Sequence, residues 1–296
     1  MGDKSQNSAE QWRARGEFKT VLGHSIFVVD EGAADLPTIL LLHGFPTSSW
    51  DWQPIWGELA KQYRLVALDM LGFGFSDKPN NRGYSIHGQA DIVDALVETM
   101  QLERFHVLAH DYGDTVAQEL LARQLEGSGN GIWLSCCFLN GGLFPETHRA
   151  LLTQRLLMSP IGELVNRLAG YKGFCRNFSS VFGDKTKPTE QELQTFWQLI
   201  NINEGKHIFH NLITYMRDRI QHRERWVSAL QQSSIALGVI NGSVDPVSGG
   251  HMVKRYQQLN CRLDYLAKLP RIGHYPQVEA PAQVLSHYQE YLKLVG

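Results

Sequence analysis

The sequence predicts an α/β fold: a mostly parallel sheet flanked by helices, with a helical segment inserted between two strands. Three observations carry this. Apolar runs of strand length recur with little polar interruption, as strands buried on both faces require. Helical patterns separate those runs, which argues for a doubly wound arrangement. One long stretch, Leu143 to Arg225, has no strand-like run at all.

The elements follow in order. Residues 1–16 read as a mobile tail. Thr38 to Leu42 is nearly continuous in apolar side chains and ends at His43-Gly44. Arg64 to Leu68 ends at Asp69, and Phe105 to Ala109 ends at His110-Asp111. Ile132 to Leu139 ends at Asn140-Gly141-Gly142, Ile235 to Ile240 at Asn241-Gly242, and a short run spans Leu263 to Leu266. Between them, Ile86, Ala90, Val93, Val97 and Met100 form a stripe at helical spacing, as do Val116, Ala117, Leu120 and Leu121. The stretch 143–225 carries Leu, Trp and Phe at helical spacing, broken at Pro160, Gly162, Gly170, Gly173, Gly183 and Pro188. It reads as a lid over a core made of residues 17–142 and 226–296. In such sheets ligands bind beyond the carboxyl ends of the strands, so the polar run-ends are the places to search.

Composition narrows the function classes. The chain has 296 residues, 43% hydrophobic and 20% charged, which suits a soluble globular protein. With 28 Lys and Arg against 30 Asp and Glu, the net charge of −2 leaves no footprint for nucleic acid or an anionic membrane. The four cysteines form no C-x-x-C pair, against a zinc ribbon or thioredoxin-like site. Met1 to Glu10 is polar, and no apolar run is long enough to span a bilayer. The expectation is a cytoplasmic monomer or homodimer with no nucleic-acid or membrane partner.

The third core run leads through Ala109-His110-Asp111-Tyr112-Gly113 directly into a helix. Small residues around a central nucleophile position are the pattern of a tight strand–turn–helix elbow. The central residue is Asp111, and no G-x-S-x-G occurs, so a serine elbow is absent. A carboxylate there would be held as the anion by free N–H groups. Taken alone, Asp111 fits a helix cap equally well. His43-Gly44-Phe45-Pro46 ends the first run in an irregular turn. The Phe45 N–H and the Tyr112 N–H could converge there as an oxyanion hole. Gly72 and Gly74 follow a strand, but position 77 is Asp77 and no helix opens at once, so a dinucleotide loop is rejected. Asp245 and His274 each follow a strand run. A histidine suits proton transfer near neutral pH, and an acid would orient its ring.

Together, His43-Gly44-Phe45-Pro46, Gly72-Phe73-Gly74-x-Ser76-Asp77, His110-Asp111-Tyr112-Gly113, Asp245 and His274 resemble the epoxide hydrolase and haloalkane dehalogenase branch of the α/β-hydrolases, over residues 17–296. The chain order Asp111, Asp245, His274 is that family's order of nucleophile, acid and histidine. The resemblance implies an alkyl-enzyme ester on Asp111 and no metal or organic cofactor. Dehalogenases of this branch place Trp after the nucleophile and often Asn in the oxyanion turn, where this chain has Tyr112 and Phe45. Epoxide opening uses lid tyrosines as acids. Tyr215 stands where the family places one, and Tyr171 and His148 are candidates for a second donor. The expected activity is hydrolysis of an epoxide in a small apolar organic substrate. Haloalkane dehalogenation, ester hydrolysis and non-catalytic ligand sensing are the alternatives.

Overall fold

The structure, a computed structural model, describes residues 8–80 and 83–296. Its sheet contains β1 (Glu17–Val21), β2 (His24–Glu31), β3 (Thr38–Leu42), β4 (Arg64–Leu68), β5 (Arg104–His110), β6 (Ile132–Leu139), β7 (Ala236–Gly242) and β8 (Tyr265–Leu269). The spatial order is β1-β2-β4-β3-β5-β6-β7-β8. From β4 to β8 every neighbour is parallel, and β2 runs antiparallel to both β1 and β4.

The apolar runs became strands because both faces of the sheet are covered. Leu40 and Leu42 join one buried cluster, while Ile39 and Leu41, on the opposite face of the same strand, join a second. The sequence reading had no strand before Thr38. β1 and β2 are joined by Leu22 and Gly23, both at positive φ (48° and 79°), the conformation of a tight hairpin turn. β1 is mostly exposed, so it lacks the apolar run that marks the central strands.

Helices α1 (Ala9–Arg15), α2 (Gln53–Leu59), α3 (Ile86–Thr99) and α4 (Tyr112–Glu126) precede β6. Between β6 and β7 the chain forms α5 (Leu152–Leu157), α6 (Gly162–Leu168), α7 (Tyr171–Ser179), α8 (Glu190–Asn201), α9 (Phe209–Leu212), α10 (Tyr215–Gln221) and α11 (Arg223–Gln232). This is the expected helical insertion. α12 (Gly250–Gln258), α13 (Pro276–Glu279) and α14 (Pro281–Val295) complete the chain.

The expected mobile tail over residues 1–16 needs correction. Residues 1–7 lie outside the described residues, but Ser8 caps α1 through a reciprocal pair with Gln11. Trp12 is buried, donates its indole N–H to Ser49 Oγ at 2.9 Å, and packs edge-on against Trp56. One large aromatic anchored in the core outweighs the polar composition around it.

Candidate active site

β5 ends at His110 and α4 begins at Tyr112, leaving Asp111 alone at the corner with φ 46° and ψ −100°. Such a conformation persists only where the surroundings enforce it. Gly113 shows how they do so. A Cβ there would lie 2.3 Å from the Leu42 carbonyl oxygen and 2.7 Å from that of His43. Its N–H donates to His43 O at 3.0 Å, drawing the start of α4 onto the end of β3. Asp111 makes no capping bond to α4. Instead its Oδ2 accepts the Phe45 N–H at 3.1 Å, so the helix-cap reading gives way to a carboxylate aimed across the sheet edge.

His274 follows β8, and its Nδ1–H donates to Asp245 Oδ2 at 2.7 Å. Its Nε2 faces Asp111 Oδ2 at 3.8 Å. Asp245 is held on both oxygens. Oδ1 accepts Val247 N–H at 2.7 Å, and Oδ2 accepts Ser248 N–H, Ser248 Oγ–H and one amide N–H of Asn140 at 2.9–3.1 Å. The two carboxylates and the imidazole between them are nearly inaccessible to solvent. Burial alone would raise Asp111, yet the facing imidazole of His274, then the charge of Arg219, hold it well below the usual carboxylate range. Asp245 is likewise held low against its burial by His274, Asn140 and the Val247 N–H. Burial alone would lower His274, but the charges of Asp245 and Asp111 raise it well above the ordinary histidine value. Both carboxylates thus favour the protonated ring, and loss of the Asp111 charge would weaken that preference.

The other expected residues gather in an aromatic cluster beside Asp111. The Tyr112 ring lies 4.7 Å from that of Tyr215, which also contacts the Phe45 ring at 6.1 Å. Tyr112 supplies the first backbone N–H of α4, and Tyr215 opens α10. His148 enters the cluster through Arg219, 3.4 Å from its Nδ1. Tyr171 does not, because its phenol donates to Glu190 Oε1 at 2.7 Å on the surface.

Two residues were missed. Arg219, on α10 one turn beyond Tyr215, is 2% exposed and reaches Asp111 Oδ1 at 3.8 Å. Its i, i+4 spacing puts it on the same helix face as Tyr215, but with Arg217 two residues earlier the sequence offers no ground for choosing between the two arginines. Asn140 follows β6 directly, at φ 47°, and brackets the Asp245 loop, and its place at a run-end was the signal there. Two further histidines are structural. His43 accepts Met70 N–H on Nε2, so its Nδ1–H donates to Gly44 O, and His110 donates from Nε2 to His274 O. Burial pushes both down to about 4, keeping them neutral. Among the described residues no group of three or more His, Cys, Asp or Glu could hold a metal ion.

Comparison with known proteins agrees with this architecture. The family model described as alpha/beta hydrolase fold matches residues 37–281. Mesoderm-specific transcript protein of Mus musculus is 43% identical over 290 residues, covering 95% of this chain and 87% of its own. LipZ of Mycobacterium tuberculosis is 37% identical over 274 residues, covering 93% and 94%. Among solved structures, the haloalkane dehalogenase DbeA from Bradyrhizobium elkanii superposes with a TM-score of 0.79 at 21% identity, over 95% of this chain and 98% of its own. A strained elbow, a histidine and acid beyond later strands, and a family match across most of the sheet lead to one assignment: the chain belongs to the α/β-hydrolase family.

Proposed function

We propose that this hydrolase works through a covalent ester on Asp111, and that its substrate is an epoxide of an apolar organic molecule. One observation carries the reading most. The elbow presents a carboxylate, not a hydroxyl, with one oxygen on the Phe45 N–H and facing an imidazole oriented by Asp245. That leaves Oδ1 to attack an epoxide carbon. The carbon–oxygen bond of the epoxide breaks, and Tyr215 gives the departing oxygen its proton. His274 then takes a proton from water, and the hydroxide adds to the ester carbonyl. The Phe45 and Tyr112 N–H groups hold the resulting oxyanion. Collapse of that intermediate releases the diol and restores the carboxylate. The rings of Phe45, Phe73, Phe209, Tyr112 and Tyr215 around the site suit an apolar substrate. A cytoplasmic location fits four cysteines that form no disulfide.

The test separates the two half-reactions. His274→Gln is expected to form the ester and fail to hydrolyse it, so intact mass with a panel of epoxides should show a stable adduct lost in Asp111→Asn. A single turnover of the wild type in ¹⁸O-water should place label in the Asp111 peptide. Label in product alone would refute the covalent scheme. Halide release from alkyl halides, read on the same panel, tests dehalogenation by the same carboxylate.

A further inference from the structure

Arg219 is a cation in a closed site. Its Nε–H donates to Thr115 Oγ1 at 2.8 Å, and one Nη1–H donates to His148 Nδ1 at 3.4 Å. Nη2 reaches the Asp111 carbonyl oxygen at 3.4 Å and Asp111 Oδ1 at 3.8 Å. The guanidinium carbon sits 4.6 Å over the Tyr215 ring. Thr115 and His148 are neutral partners, since burial pushes His148 down to about 4. Among the described residues, Asp111 is the carboxylate recorded as its ion-pair partner. A buried cation without a counter-charge is strongly unfavourable.

Esterification removes that counter-charge. When Oδ1 bonds to the substrate carbon and the carbon–oxygen bond breaks, the electron pair passes to the departing oxygen. Charge is conserved, so the negative charge has moved off Asp111 to an atom in the same closed site. We propose that Arg219 is a further catalytic residue, pairing with Asp111 Oδ1 before the attack and with the negative charge of the departing side after it. The proposal rests on the covalent reading of Asp111. Tyr215 completes the balance: its phenol proton goes to the departing oxygen, leaving a phenolate under the guanidinium. That proton returns from the imidazolium through solvent at the end of the cycle. The electrostatics favour this timing. Burial first, then the charge on Asp111, hold the Tyr215 phenol above its ordinary value, while Arg219 pulls it down. Loss of the Asp111 charge removes one raising influence and leaves the lowering one. Arg219 thereby supplies the second stabilising group that the sequence reading sought in Tyr171 or His148.

The experiment measures adduct formation by intact mass in the His274→Gln background, with styrene oxide or whichever epoxide labels that variant fastest. Adding Arg219→Met is expected to slow ester formation about 10²–10³-fold at saturation, the usual loss for a group that stabilises developing charge, with the half-saturating concentration little changed. Arg219→Lys should recover most of the rate. Thr115→Val, which removes the hydroxyl receiving Nε–H while preserving shape, should slow it roughly tenfold and serves if Arg219→Met does not fold. Unaltered rates in Arg219→Met, or in Thr115→Val, would overturn the proposal while leaving the covalent reading intact. A rise in half-saturating concentration at constant maximal rate would also overturn it, as it would assign Arg219 to substrate binding. Absence of any adduct in His274→Gln, with turnover by the wild type, would instead overturn the covalent reading.

Discussion

Asn140 and Asp245, at the ends of adjacent strands, are joined by a hydrogen bond of 3.0 Å from the Asn140 amide to Asp245 Oδ2. The same amide group donates to Gly242 O at 3.0 Å and accepts Gly242 N–H at 2.7 Å. One side chain thus fixes both the strand end and the acid that orients His274.

Asn140→Ala should therefore weaken fold and site together. It leaves the buried Gly242 N–H without its acceptor and Asp245 with one donor fewer. An unsatisfied buried group costs about 1–3 kcal/mol, which urea denaturation would measure. Because His274 turns on Asp245, hydrolysis of the ester should slow more than its formation. Equal loss in both half-reactions would show that Asn140 acts on stability alone.

His274 should respond to the charge on Asp111. In the resting protein the charges of Asp245 and Asp111 overcome burial and raise it above the ordinary histidine value of 6.5. The ester removes one of those two charges, so the ring releases its proton more readily at the stage where it must act as a base. Asp111→Asn imitates the neutral ester and should lower the His274 midpoint, which histidine NMR would follow. The stability sign agrees. A raised folded value stabilises fully below pH 6.5 and loses that contribution as pH rises through the folded midpoint, so in Asp111→Asn the contribution should be smaller and its loss complete at lower pH. An unmoved midpoint would mean that the 3.8 Å pair carries little interaction.

How much of this was legible in the sequence follows from where each signal resides. The central strands are apolar on both faces, so composition alone marks them. Asp111, Asp245 and His274 stand at run-ends, where parallel sheets place their sites. Arg219 lies mid-helix among Arg217, Asp218 and Ile220, and α10 alone does not distinguish its one buried arginine from the exposed one. Trp12 is likewise a single aromatic in a polar stretch, and its anchor Ser49 is 37 residues away. Local pattern reads what repeats along the chain and misses what depends on one distant contact.

Glu119 illustrates such a contact. It is buried on α4, yet Arg225 and Trp226 of α11 both donate to it at 2.8 Å, and Arg123 adds a third donor at 3.0 Å. Burial would raise its carboxyl, but these bonds pull it down to about 2. Glu119→Gln should cost about 1.5–3 kcal/mol near neutral pH, the range for hydrogen bonds to a charged group. A lowered folded value gives stability that is present above the ordinary 4.5 and lost as pH falls toward 2. The gap between wild type and variant, measured by urea unfolding, should therefore narrow from pH 7 to pH 3. A gap independent of pH would assign the effect to packing.

Trp12 should behave as a core residue, although it stands in α1, the first helix among the described residues. Its ring packs 5.0 Å from that of Trp56, and its indole N–H holds Ser49, whose own N–H donates to Asp69 Oδ1 at 2.8 Å. Trp12→Ala removes a large buried side chain and should cost about 3–5 kcal/mol. Trp12→Phe keeps most of the apolar volume and loses only the bond to Ser49, so its cost should be the smaller. Because α1 lies outside the Asp111 cluster, both variants should retain wild-type ester formation well below their melting temperatures. A denaturation midpoint unchanged in Trp12→Ala would return residues 8–16 to the status of a loose tail, since no buried tryptophan can be removed without loss.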